Sequence, residues 1–252
     1  MKVINILILL FVFSHLSIAK SNAIEIEYIR YDFLGSYKAI ISKPKGKGPF
    51  PAIIYNYDEF YDWAGIKLAN QQGYNLEYIA GYFAKLGYVC LIPIERYRKL
   101  KAIIGIATYI KDNPDIAVSS INLVGMSEGA ALSITAATQL PDISSLTLIG
   151  PIEVNDKGFL SNQIFNFLKP KNPHIPIYFI QIHDVGWRIR SQHEVYLKLK
   201  TIYTNITFKK VYKQKRWFWD IDRYGKDINL FITKQYNRKY ATRKNTYKSA
   251  KY

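Results

Sequence analysis

Residues 121–137 read INLVGMSEGAALSITAA. An apolar run ends at Gly125-Met126-Ser127-Glu128-Gly129, and a small-residue helical pattern follows. A short apolar run bounded by turn signals is consistent with a buried strand. A Gly-x-Ser-x-Gly string between strand and helix has the pattern of a nucleophile elbow, a sharp turn that lifts its serine above a sheet. Gly125 and Gly129 carry no Cβ, so the two backbones can approach closely. Ser127 is therefore a candidate nucleophile, and the next question is which group takes its proton. The plain alternative is a glycine-bounded turn without chemistry.

The pattern on either side alternates strand and helix. IEIEYIRYDF (24–33) and YKAIISKP (37–44) lie close together and are expected to pair antiparallel. The run Lys45-Gly46-Lys47-Gly48-Pro49 reads as a turn. PAIIYNY (51–57) is a third strand, and apolar spacing predicts a helix over 75–86. GYVCLIPI (87–94) is almost wholly apolar, as a strand covered on both faces requires. Ile103, Ile106, Ala107 and Ile110 mark a helix that Asn113-Pro114 ends. Beyond the opening stretch come a helix at 128–139, the strand SLTLIG and an irregular segment over 151–171. The strand IPIYFIQI, a helix at 191–203, the strand ITFKKVY and a helix at 220–235 complete the pattern. The expected fold is one α/β domain over 24–235, an eight-stranded, mostly parallel sheet with helices on both faces. Active sites of such sheets lie beyond the carboxyl ends of the strands.

The chain has 252 residues and 49% are apolar, enough for a sizeable core and unlike a disordered chain. Residues 1–23, MKVINILILLFVFSHLSIAKSNA, have the charged start, apolar middle and small-residue end of an export signal. Cleavage is expected after Ala19 or Ala23, and the apolar run is short for a membrane span. No second long apolar run follows, so no transmembrane segment is expected after signal removal. Cys90 is the one cysteine, which rules out an intramolecular disulfide, and its apolar neighbours place it in the core. Lys plus Arg number 35 against 19 Asp plus Glu, a net charge of +16. Such a balance favours anionic surfaces. After Asp227 no acidic residue occurs, and residues 236–252 read as a basic tail, either solvated or surface-binding. No nucleic-acid-binding motif accompanies the charge. No metal-ligand cluster or phosphate-binding glycine loop is present, so neither metal nor cofactor is expected.

These stretches resemble the α/β-hydrolase superfamily, most of all its dienelactone-hydrolase and prolyl-oligopeptidase-type esterase branch, over most of residues 25–235. The resemblance rests on PFPAIIYNY, YFAKLGYVCLIPIERYR, INLVGMSEGAALSI and IPIYFIQIHD. It implies Ser127 as nucleophile and the backbone N–H of Glu128 as an oxyanion donor at a helix N-terminus. A second donor would come from the loop at Tyr57 to Glu59, with the Asp58 backbone as the candidate. Family members usually have His-Gly there, and this chain has Tyr57-Asp58. Asp184 stands where the family places the acid that orients the base.

The family's histidine is missing. Its expected stretch reads VYKQKRWFWDID, with Trp217 near the expected position. His15 lies in the signal, His174 precedes the acid's strand, and His183 adjoins Asp184 on the opposite face. His193, nine residues after Asp184, is the remaining candidate base. Lys213, Lys215 and Arg216 occupy the right loop, but a lysine base needs burial to lower its pKa. A serine without a base is a poor nucleophile. Two functions follow: an exported serine hydrolase of a small ester, lactone or amide, or a catalytically degenerate relative that binds a small-molecule ligand or an anionic surface. The aromatic clusters YDEFYDW and RWFWD are either core or stacking surfaces at a substrate mouth.

Overall fold

The computed structural model describes residues 24–152, 170–183, 186–212 and 218–249, with side chains through residue 237. The signal, most of the irregular 151–171 stretch, Asp184, the 213–217 stretch with Lys213, Lys215, Arg216 and Trp217, and the tail side chains lie outside the described residues.

Eight strands form one sheet: β1 (Glu25–Asp32), β2 (Ser36–Lys43), β3 (Phe50–Asn56), β4 (Val89–Pro93), β5 (Ile116–Met126), β6 (Ile143–Ile149), β7 (Ile177–His183) and β8 (Ile206–Tyr212). Their spatial order is β1-β2-β4-β3-β5-β6-β7-β8. β1 pairs antiparallel with β2, and β2 antiparallel with β4. All later pairings are parallel, as strands separated by helical crossovers must be. This is the single-domain, mostly parallel α/β sheet that the alternating pattern predicts.

The described helices are α1 (Phe60–Gln71), α2 (Leu76–Lys85), α3 (Lys99–Lys111), α4 (Glu128–Gln139), α5 (Gly186–Ile202) and α6 (Gly225–Ser249). They divide between the two faces. On one face α3, α4 and α5 bury Ile103, Ile106, Ile134, Val195 and Leu199 against Leu123, Leu146 and Phe179 of the sheet. On the other, α2 and α6 bury Ile79, Phe83, Ile228 and Ile232 against Ile53, Val124 and Ile180. The central strands alternate their side chains between these two cores, so burial on both faces follows from their continuous apolar runs. Cys90 is fully buried, and burial pushes its thiol pKa upward, which keeps it protonated and inert.

Four elements differ from the sequence expectation, and one of them, β5, starts at Ile116, five residues before the INLVGM run. α1 falls where the sequence shows only a polar, aromatic cluster. It buries just Tyr61 and Ala69, and Gly65 interrupts it with non-helical backbone (φ 77°, ψ 158°), so no apolar stripe announces it. α5 starts at Gly186, five residues before the expected 191, because its first turn carries little apolar periodicity. α6 continues through Ser249, past the expected boundary at 235, since nothing in the tail breaks a helix.

Candidate active site

The elbow sits where β5 ends and α4 begins. Ser127 has φ 52° and ψ −115°, a conformation that L-residues rarely adopt and that costs on the order of 1–3 kcal/mol. The neighbouring backbone holds it there. Ser127 N–H donates to the Ile149 carbonyl of β6 (2.9 Å), and its own carbonyl accepts from Ala130 (3.1 Å) and Ala131 (3.3 Å). The strand ladder thus extends one residue into the turn while the first helical bonds already close. Close approach supplies the rest. A Cβ at Gly129 would stand 2.0 Å from the Asn56 carbonyl oxygen, and one at Gly125 would stand 2.4 Å from the Gly129 carbonyl oxygen. The Asn56 amide donates to Ser133 Oγ (2.6 Å), which donates to the Gly129 carbonyl (2.7 Å), tying β3 to α4 under the turn.

Ser127 is only 4% exposed. With Gly150, Ile152, Ile182, Arg188, Gln192 and Phe218 it lines a cavity of about 10 Å³, room for roughly one water. Gly150 takes a positive φ of 55° at the end of β6. Gln192 of α5 is buried, and its side-chain amide brackets Ile182: Oε1 accepts from Ile182 N–H (2.7 Å) and Nε2 donates to the Ile182 carbonyl (3.1 Å). It supplies β7 with the partners that β6, already ended, no longer offers. Arg188 packs its guanidinium 5.3 Å from the ring centres of both Trp187 and Phe218. Beyond Phe218 the rings continue through Trp219, Phe60 and the exposed Trp63.

The described histidines stand elsewhere. His193 adjoins Gln192 but is exposed on α5, its ring 6.4 Å from Tyr196 and outside the described lining of the Ser127 cavity. One residue is a 100° step around a helix, so Gln192 and His193 face different ways. His183 is exposed against Tyr212 (5.0 Å), and His174 Nδ1 contacts Thr204 Oγ1 (3.0 Å) before β7. Asp184 lies outside the described residues.

Of the two expected oxyanion donors, the Glu128 amide opens α4. The first N–H groups of a helix have no intrahelical acceptor and carry partial positive charge. The Asp58 amide is engaged: it donates to Tyr74 Oη (2.7 Å), and one N–H offers no second hydrogen to an oxyanion. The Asp58 side chain instead caps its own turn, accepting from Phe60 N–H (2.8 Å).

A charge cluster that leaves no mark in the sequence lies beside the elbow. Lys99 Nζ lies 2.6 Å from Glu128 Oε2 and 2.7 Å from Asp62 Oδ2, with side chains 12–18% exposed. Tyr57 Oη donates to Asp62 Oδ1 (2.9 Å), and Lys99 sits 4.8 Å from the Tyr57 ring centre. Burial alone would lower the Lys99 pKa, but the Glu128 and Asp62 carboxylates outweigh it and raise the value. Lys99 is thus a fixed cation and no base. In the sequence it is one of several basic residues in RYRKLK, and nothing there marks it as the buried one. Among the described residues no group of His, Cys, Asp and Glu could hold a metal ion.

Comparisons with known proteins bear on the fold. No family model matches the chain. It is 30% identical over 131 residues to acyl-coenzyme A thioesterase 5 of Mus musculus, a match covering 48% of this chain and 28% of that protein's length. Among solved structures, the hyperthermophilic esterase of Pyrobaculum calidifontis superposes with a TM-score of 0.61 at 14% identity, covering 84% of this chain and 85% of the esterase. A bacterial heroin esterase gives 0.62 at 11% identity, covering 91% and 90%. The Pyrococcus horikoshii acylaminoacyl peptidase gives 0.59 at 14% identity, covering 88% of this chain and 42% of the peptidase.

Proposed function

The chain has the α/β-hydrolase fold, and from that premise we propose an exported serine hydrolase that cleaves a small ester, lactone or amide. The observation that carries the proposal is the backbone of Ser127. A serine held at φ 52° and ψ −115° by strand, helix and two close-packed glycines is strain that a mere connection between elements would not need. In the reaction Ser127 Oγ attacks the carbonyl carbon and the carbonyl oxygen becomes an oxyanion on the Glu128 amide. The base takes the Ser127 proton during attack and passes it to the leaving oxygen or nitrogen as the scissile C–O or C–N bond breaks. Water, deprotonated by the same base, then hydrolyses the acyl-serine ester, and the base returns the proton to Oγ. Asp184 would orient the base. His193 would need to leave its exposed position on α5 to serve as that base. The mouse relative's name adds thioesters to the substrates to assay. Export rests on residues 1–23, and an anionic partner surface on the net charge of +16 and the acid-free sequence after Asp227.

A second reading is favoured by one observation. The described wall of the Ser127 cavity carries Arg188 and Gln192 and no imidazole. A degenerate relative would keep the Ser127 hydroxyl, the α4 N-terminus and a nearby guanidinium as a receptor for a ligand carboxylate. Turnover of p-nitrophenyl acetate that disappears in Ser127→Ala supports the hydrolase. Absence of turnover, with acetate nevertheless binding in a manner lost in Arg188→Gln, supports the receptor.

A further inference from the structure

We propose that the cleft under the amino ends of β5 to β8 is a second binding site, for a neutral, hydroxyl-rich ligand such as one or two sugar rings. It has a volume of about 370 Å³, within the range of small-molecule sites. It lies at the opposite end of the sheet from Ser127. Ser120, on its wall, precedes Ser127 by seven residues of β5, roughly 20 Å at the rise of a strand. The inference is therefore independent of the reaction assigned to the elbow.

The lining sorts into scaffold and facing groups. Asn122 is scaffold: its amide donates to the Ala52 carbonyl (3.0 Å) and its Oδ1 accepts from Ser145 Oγ (2.7 Å), so both ends are engaged. Ser120 is 3% exposed, yet its hydroxyl has no hydrogen-bond partner among the described residues. The side-chain amides of Asn205 and Gln235 likewise have none. Asn205 is nevertheless held in place, because its carbonyl accepts from Ile177 N–H (2.8 Å). Three polar groups on three elements, β5, the approach to β8 and α6, thus meet one cleft with their capacity open.

Their chemistry selects the ligand. An amide side chain offers donors and an acceptor together, and a hydroxyl does the same, which is what a ligand's hydroxyl groups need. No charged side chain is among the described residues of the lining, so a buried ionic group would lose water without gaining a counter-charge. Ile232 and the partly exposed ring of Tyr236 supply apolar surface for the C–H face of a sugar.

The test is calorimetric titration of the full chain with maltotriose, with the trimer of N-acetylglucosamine and with inorganic phosphate. One of the saccharides binds. The double variant Asn205→Ala, Gln235→Ala weakens that binding about tenfold or more, the size expected when hydrogen bonds to the ligand are removed. The variant keeps the wild-type urea midpoint, and Ser127→Ala binds as the wild type does. Binding of neither saccharide, equal binding by the double variant, loss of binding in Ser127→Ala, or binding of phosphate alone would each overturn the assignment.

Discussion

The two ends of the sheet are built on opposite plans. At the carboxyl end the backbone is strained, two glycines are packed to contact, three charges are drawn together in partial burial, and the cavity holds about one water. At the amino end the lining is neutral, several polar groups are open, and the cleft holds about 370 Å³. Strain and tight packing fix the position of one atom, the Ser127 oxygen. Room and unpaired amides recognise a shape. The same strands serve both ends, so substitutions should separate the plans.

The largest effect is expected at the turn. Gly129→Ala places a methyl 2.0 Å from a backbone oxygen, which no side-chain rotation relieves. It should cost several kcal/mol, on the order of 3 or more, visible as a collapsed urea midpoint. Next comes Lys99→Met, which leaves the Glu128 and Asp62 carboxylates without their cation. A loss on the order of 3 kcal/mol is expected, and adding Glu128→Gln should recover part of it. Equal stability of single and double variants would show that the cluster holds the elbow by packing alone. A smaller effect of opposite sign is expected for Ser127→Gly. It relieves the positive φ and should stabilise by about 1 kcal/mol, whereas Ser127→Ala keeps the strain and should not. The smallest effect belongs to the amino end: Asn205→Ala with Gln235→Ala should change stability by no more than about 0.5 kcal/mol, since those side chains hold nothing in the fold.

Alkaline pH probes the whole core. Tyr178, Tyr203 and Tyr224 are each pushed up to about 12, chiefly by burial. Folded values above the unfolded value of about 10 give stability that is fully present below pH 10 and lost as pH rises through about 12. Lys99 acts with the same sign. Phenolate absorbance in the ultraviolet should therefore rise in two phases, the second coincident with unfolding. A single rise near the unfolded value would contradict the burial.

What was legible in the sequence follows from what leaves a periodic mark. Buried parallel strands must be apolar throughout, so GYVCLIPI, INLVGM and IPIYFIQI announce themselves. Gly125 and Gly129 are equally visible, because only glycine tolerates such contact. α1 left no mark, since it rests on scattered aromatics and a kinked glycine. The Lys99 cluster joins residues 62, 99 and 128, and only tertiary packing brings them together. Gln192 and His193 are adjacent in sequence, and only the helix geometry of α5 turns the amide inward and the imidazole outward. The Asp58 amide could not be judged before Tyr74 was placed against it.

Ser127, buried at a strained turn beside a cavity of about one water, is assigned here as a reactive alcohol. Treating the folded protein with a fluorophosphonate and weighing the intact chain tests that assignment most directly. The account predicts one adduct, mapped to Ser127 and absent from Ser127→Ala. A folded wild-type chain that gains no mass, or gains it at another residue, would contradict it.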